Sequence, residues 1–175
     1  MAKKKITVPD FLAAKENDRH FVMMTCYDYT IASLVEQSPI EMILVGDSVG
    51  NMVYGYNGTV PVTMDEMVFA VKAVTKGAPT TFVVGDLPFG SYNQSCEQAI
   101  ANATRLMKEG GCDCVKLEGG AEMADKIAAI VRAGIPVMGH IGLTPQTASA
   151  MGGMKVQGKN SAVADKLVED IKAIE

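Results

Sequence analysis

The chain has 175 residues, 48% of them apolar and 21% charged, with a formal net charge of −4. That is enough polypeptide for one globular domain with a real core. Its mild acidity argues against nucleic-acid or anionic-membrane partners, both of which select a basic face, and no apolar run approaches the ~20 residues of a bilayer span.

At the start, Lys3–Lys5 imitates the positive end of a signal peptide. Pro9, Asp10 and the charges from Lys15 to Arg19 interrupt any apolar stretch behind it, so the cluster is expected to be solvated and the protein cytoplasmic. "FVMMTCY" (Phe21–Tyr27) predicts a first strand, followed by a helix near Thr30–Glu36. "EMILVGD" (Glu41–Asp47) predicts a second strand and a long glycine-bearing loop. Thr63 with Glu66 three residues on is a capping box that opens a helix to about Lys76. "TTFVVGD" (Thr80–Asp86) is the third strand, and Ser95 with Gln98 repeats the capping spacing for a helix that runs to Lys108 and stops at Gly110-Gly111. "CDCVKLE" (Cys112–Glu118) is the fourth strand, Ala121–Ala133 a helix ended by Gly134, and "IPVMGH" (Ile135–His140) the fifth strand. Thr144 caps a turn with Pro145 at its first helical position. A last helix is expected from about Ser161 to the end. The cysteines, Cys26, Cys96, Cys112 and Cys114, lack a paired zinc spacing and read as reduced packing residues.

Five alternations of apolar strand and helix predict a parallel sheet with helices outside. No G-x-G-x-x-G follows the first strand and no P-loop is present, which weakens a nucleotide-binding open sheet. Every candidate strand ends on a polar group: Asp28, Asp47, Asp86, Glu118 and His140. In a (β/α)₈ barrel these ends converge on one rim, where barrel active sites lie. Closing eight units usually takes ~250 residues, so the chain is expected to hold about the first five units and a following helix of one barrel domain over residues 1–175. The other option is an open sheet.

Asp47, Asp86 and Glu118 together suit a hard cation such as Mg²⁺, which prefers oxygen ligands. They could equally be helix caps or solubilising loop groups. Lys116 and Glu118 are two apart and share a face, which points both charges into the interior when Val115 and Leu117 face the helices. Buried there, they must pair with each other or bind something; Lys116 would suit a substrate carboxylate or enolate oxygen. His140 could support a substrate oxygen or be a satisfied rim histidine. Gly152–Asn160 reads as a mobile loop over the site.

The motifs "TCYDY", "ILVGDSVG", "VPVTMDEM", "GDLPFGSY", "VKLEGG", "GIPVMGHIGLTPQ" and "GGMKVQG", in this order, resemble the ketopantoate hydroxymethyltransferase (3-methyl-2-oxobutanoate hydroxymethyltransferase) family over nearly the whole chain. The resemblance implies a (β/α)₈ barrel enzyme of pantothenate biosynthesis. It would transfer a hydroxymethyl group from 5,10-methylenetetrahydrofolate to 3-methyl-2-oxobutanoate, giving 2-dehydropantoate through a Mg²⁺-stabilised enolate. It implies Asp47, Asp86 and Glu118 as metal carboxylates, and Asp47, Ser48, Asp86 and Lys116 as substrate-binding positions. It also implies a cytoplasmic homo-oligomer, often a decamer, and a glutamate proton acceptor beyond residue 175, which Glu175 itself is not. The alternatives are another 2-keto-acid enzyme of the phosphoenolpyruvate mutase/isocitrate lyase type, or an inactive barrel fragment with exposed sheet edges.

Overall fold

The computed structural model describes residues 4–175; Lys3 lies outside them. Five strands, β1 (Met23–Thr25), β2 (Met42–Val45), β3 (Phe82–Asp86), β4 (Cys114–Glu118) and β5 (Val137–His140), form one parallel sheet in sequence order. Because parallel crossovers are right-handed, sequential order lays every intervening helix on the same face. A doubly wound sheet reverses its order midway and uses both faces. This chain is therefore wound as an arc of a (β/α)₈ barrel.

The helices are α1 (Val8–Glu16), α2 (Tyr29–Glu36), α3 (Val49–Met52), α4 (Met64–Gly77), α5 (Cys96–Arg105), α6 (Ala124–Arg132) and α7 (Ser161–Ile174). The main core lies between them and the outer face of the sheet. Ile43, Val45, Val83, Val115 and Leu117 point outward at 0% exposure and meet Met67, Val71, Val74, Leu106 and Ile130. The inner face is divided. Its N-terminal end is apolar, with Met42, Phe82, Val84 and Cys114 packed against Phe11 and Phe21. Phe11 of α1 meets the rings of Phe21 and Phe82 edge-on, with centroids 4.9 and 5.0 Å away, so α1 closes that mouth. The C-terminal end of the same face carries the charges.

Several boundaries differ from the expectations. The first strand is trimmed to three exposed residues and β5 is only partly covered; both are sheet edges, so only β3 and β4 are buried throughout. The second loop contains the short α3. The helix after Ser95 leaves α geometry at Leu106 and ends in a π turn, Leu106–Gly110, with Gly111 left-handed at φ 83°. Gly110 is pressed on α4 there: a Cβ would lie 2.8 Å from Val71 Cγ1, and its carbonyl accepts from Thr75 Oγ1 at 2.7 Å. Residues Ala121–Met123 form a 3₁₀ turn before α6, and Pro145–Thr147 form another, whose cap residue Thr144 bonds the Thr147 hydroxyl instead of a backbone N–H.

Lys5 is not simply solvated but pairs with Asp113 at 2.9 Å. All four cysteines are free; three are buried packing residues, whereas Cys96 is half-buried with its sulfur 3.8 Å from Asp125. Among the described residues no helix is long and apolar enough to cross a membrane.

Candidate active site

Asp86 ends β3, and Lys116 and Glu118 close β4 on the same inward face; Asp47 follows β2. All four are buried, at 1%, 6%, 4% and 3% exposure. Lys116 Nζ donates to Asp86 Oδ2 at 2.7 Å and lies 3.5 Å from Glu118 Oε1. Asp86 Oδ2 also accepts the backbone N–H of Asp47 at 3.1 Å, which ties the ends of β2 and β3 together. Asp86 Oδ1 is buried and has no hydrogen-bond partner. His140, at the end of β5, brings Nδ1 within 3.3 Å of Glu118 Oε1 without hydrogen-bond alignment. Of the expected strand-end groups, Asp47, Asp86, Glu118 and His140 do lie together, with Lys116 among them. Asp28 is not part of the group: its carboxylate caps α2 by accepting from Ile31 N at 2.9 Å.

Burial decides the electrostatics. It raises the Asp86 carboxyl to about 7; Lys116 acts against this and Asp47 adds to it. Asp47 is also raised by burial, although Lys116 and Gln146 oppose it. Burial by itself lowers the Lys116 pKa, but Asp86 and the other carboxylates hold it above the ordinary lysine value. Glu118 is pushed up by burial as well, yet the contact with His140 and the charge of Lys116 leave its pKa below the ordinary value. The lysine stands among the carboxylates as their counter-charge. Accordingly, among the described residues no three Asp, Glu, His or Cys side chains are already arranged around one point.

Ser48 follows Asp47 at the start of α3, half-buried, and its hydroxyl shares a 2.8 Å hydrogen bond with Tyr27 OH. The preceding glycine is needed here, since a Cβ on Gly46 would sit 2.8 Å from Ser48 Oγ. Glu175 is elsewhere: it pairs at 2.9 Å with Lys15 of α1, which closes the opposite mouth. A cavity of about 170 Å³ opens beside Glu118, lined also by Thr144, Thr147, Met151 and Asp170. From the Gly152–Asn160 loop, Met154 lines a second cavity with Gln146 and Gly58.

Sequence reasoning missed Gln146, Tyr92 and Tyr27. Gln146 Nε2 donates to Asp47 Oδ2 and to the Leu87 carbonyl, both at 2.9 Å, and its backbone N–H donates to Glu118 Oε2 at 3.0 Å. All three residues sit inside motifs that were read for other residues. Their partners lie 21 to 99 positions away, so no local spacing announces them.

Comparison with known proteins bears on the family and the fold. The family model described as ketopantoate hydroxymethyltransferase matches residues 5–175. A protein of Heliobacterium modesticaldum named 3-methyl-2-oxobutanoate hydroxymethyltransferase is 57% identical over 172 residues, covering 98% of this chain and 62% of that protein. One of the same name from Desulfotalea psychrophila is 54% identical, covering 97% and 61%. The chain thus spans about three fifths of the length of these relatives. Among solved structures, phosphonopyruvate hydrolase in complex with oxalate and Mg²⁺ superposes with a TM-score of 0.70 at 15% identity, over 97% of this chain and 59% of that one. A 2,3-dimethylmalate lyase, a member of the PEP mutase/isocitrate lyase superfamily, reaches 0.63 at 15% identity, over 94% and 57%. At such identity these two speak for the fold alone. The chain belongs to the ketopantoate hydroxymethyltransferase family.

Proposed function

We propose that the protein carrying this chain transfers a hydroxymethyl group from 5,10-methylenetetrahydrofolate to 3-methyl-2-oxobutanoate, giving 2-dehydropantoate for pantothenate biosynthesis in the cytoplasm. Family membership supports the reaction class, and one observation supports the chemistry. Two carboxylates, Asp86 and Glu118, flank the buried Lys116, a third, Asp47, is tied to Asp86 through its backbone N–H, and one oxygen, Asp86 Oδ1, is left without a hydrogen bond. A buried carboxylate oxygen with no donor is costly unless something positive meets it. The all-oxygen donor set fits a hard cation, and phosphonopyruvate hydrolase, which shares the fold, was solved in complex with oxalate and Mg²⁺.

In this reading Asp47, Asp86 and Glu118 would hold Mg²⁺. When bound, the ion supplies a Lewis acid that polarises the 2-oxo group of the substrate and acidifies its C3 proton. The side chains of the chain bind and orient. The Lys116 ammonium neutralises an oxyanion of the 2-oxo acid. Ser48, oriented by Tyr27, donates a hydrogen bond to the substrate carboxylate, and His140 stands ready beside Glu118 to support a substrate oxygen. Burial of the four charged groups excludes water, which strengthens each of these contacts. The proton acceptor is assigned to no residue of this chain; a glutamate beyond residue 175 is proposed. Exposed apolar groups on the outer helices, Phe69 at 72% and Leu34 at 60%, support a homo-oligomer.

The test is deuterium exchange at C3 of 3-methyl-2-oxobutanoate in D₂O with Mg²⁺, using the intact protein. Exchange is expected without folate, and Asp86→Ala abolishes it. An intact protein that exchanges nothing contradicts the reaction, and exchange that survives Asp86→Ala contradicts the metal assignment.

A further inference from the structure

We propose that Gln146, with its amide oriented by Tyr92, is a positioning residue that fixes the Asp47 and Glu118 carboxylates relative to each other for cation binding; this rests on the function proposed above. Gln146 is 3% exposed and Tyr92 1%. Every polar atom of the glutamine side chain is engaged. Nε2 gives its two hydrogens to Asp47 Oδ2 and the Leu87 carbonyl, and Oε1 accepts from Tyr92 OH at 2.7 Å. The orientation is chemically determined. The Leu87 carbonyl can only accept, so a flipped amide would set oxygen against oxygen there.

Tyr92 adds a second constraint. Its hydroxyl lies 3.1 Å from both the N–H and the carbonyl of Glu118, at the last residue of β4. Through one glutamine and one phenol, the ends of β2, β3 and β4 are cross-linked by hydrogen bonds inside the fold. The polar atoms of both side chains are committed to these partners. Each grips a proposed cation ligand: Gln146 donates to Asp47 through its side chain and to Glu118 through its backbone N–H, and Tyr92 holds the amide. Outer hydrogen bonds of this kind typically contribute 10–100-fold to metal affinity or activity.

The experiment measures Mn²⁺ binding by electron paramagnetic resonance on the metal-stripped intact protein, for wild type, Gln146→Met, Tyr92→Phe and the double variant. Gln146→Met keeps the volume and the backbone N–H to Glu118 but removes the side-chain donors to Asp47 and Leu87. It is expected to weaken Mn²⁺ about tenfold and to raise the KM for the 2-oxo acid. Tyr92→Phe keeps the ring and is expected to lose a few-fold by the same route. Because Tyr92 acts largely through Gln146 and otherwise holds only the Glu118 backbone, adding Tyr92→Phe to Gln146→Met should cost less than Tyr92→Phe costs in wild type, whereas two independent packing defects would add. Wild-type Mn²⁺ affinity in both single variants, or additive losses in the double variant, would overturn the inference while leaving the function intact. If Gln146→Met does not fold, Tyr92→Phe alone decides by whether its Mn²⁺ affinity falls. A wild-type protein that binds no Mn²⁺ would remove the function and the inference together.

Discussion

Asp86→Asn isolates the cost of keeping a carboxylate at the end of β3. Asp86 is 1% exposed, and its pKa is raised by burial to about 7. An unfolded aspartate titrates near ~3.9. Between these two values the folded state holds a proton that the unfolded state has released. Stability therefore falls as pH rises across that window, at about 1.4 kcal/mol per pH unit while the difference is a whole proton. The slope fades as the pH reaches the folded value, so the integrated loss from pH 5 to pH 7 is about 2 kcal/mol. Asparagine has the same shape and cannot ionise. In urea unfolding of metal-free protein, the stability of wild type relative to Asp86→Asn should drop by that amount between pH 5 and pH 7, then level off. Subtracting the variant removes the contribution of carboxylates remote from the site, leaving that of Asp86 and the neighbours coupled to it, Asp47 and Lys116. A wild-type–variant difference that stays constant with pH would show that Asp86 is an ordinary ionised partner of Lys116 and would refute the burial argument.

Three further outcomes follow from the packing. Lys116→Met leaves Asp86 and Glu118 without their ammonium and is expected to destabilise the metal-free protein by about 3 kcal/mol at pH 8; a loss below ~1 kcal/mol in urea unfolding would mean the pair carries little. Gly77→Ala should be destabilising by about 2 kcal/mol although alanine is the better helix former, because its Cβ would lie 2.5 Å from the Tyr29 carbonyl oxygen; a raised melting temperature would contradict the close α2–α4 approach. Asp170 of α7 accepts from Ala121 N at 3.0 Å, and this bond with Lys166 holds its pKa below the usual carboxylate value. A depressed acid stabilises above its unfolded pKa and stops doing so as pH falls through the folded one. Asp170→Asn should thus cost about 1–2 kcal/mol near pH 7 and nothing at low pH, and an equal loss at both would count against the ion.

The strands that frame the site were legible because they are buried on both faces. Continuous apolar runs such as Phe82–Asp86 admit one reading once glycine and aspartate end them. The edge strand near Met23–Thr25 was overextended for the converse reason: its pattern looks buried, but no neighbour covers it. The helix Val8–Glu16 went unnoticed although its signals were present. Thr7 and Asp10 form a reciprocal capping box with Pro9 in the first turn, and the same proline and aspartate were read only as interruptions. The charged residues of the site were legible because strand direction places them on a shared rim. The hydrogen-bonded supports were not: Tyr92, Gln146 and Asp47 come together only in three dimensions, and nothing in their spacing marks a neutral side chain as a brace.

Charge counting ties the site to its proposed ligands. Fully ionised, Asp47, Asp86 and Glu118 with Lys116 sum to −2, inside a region that water barely reaches. Burial resists that sum, and the protein answers by raising Asp86 and Asp47 toward neutrality while holding the proton on Lys116. A divalent cation would bring the sum of the ionised groups to zero; it would displace the proton that burial keeps on Asp86, lower the carboxyl pKa values it meets, and so should be bound more tightly as pH rises through about 7. The carboxylate of a 2-oxo acid would then bring the sum to −1, with the Lys116 ammonium, already included in that sum, as the cation beside it. A doubly charged ion thus offsets the charge that β2, β3 and β4 deliver to one rim, whereas a monovalent one would leave those side chains negative.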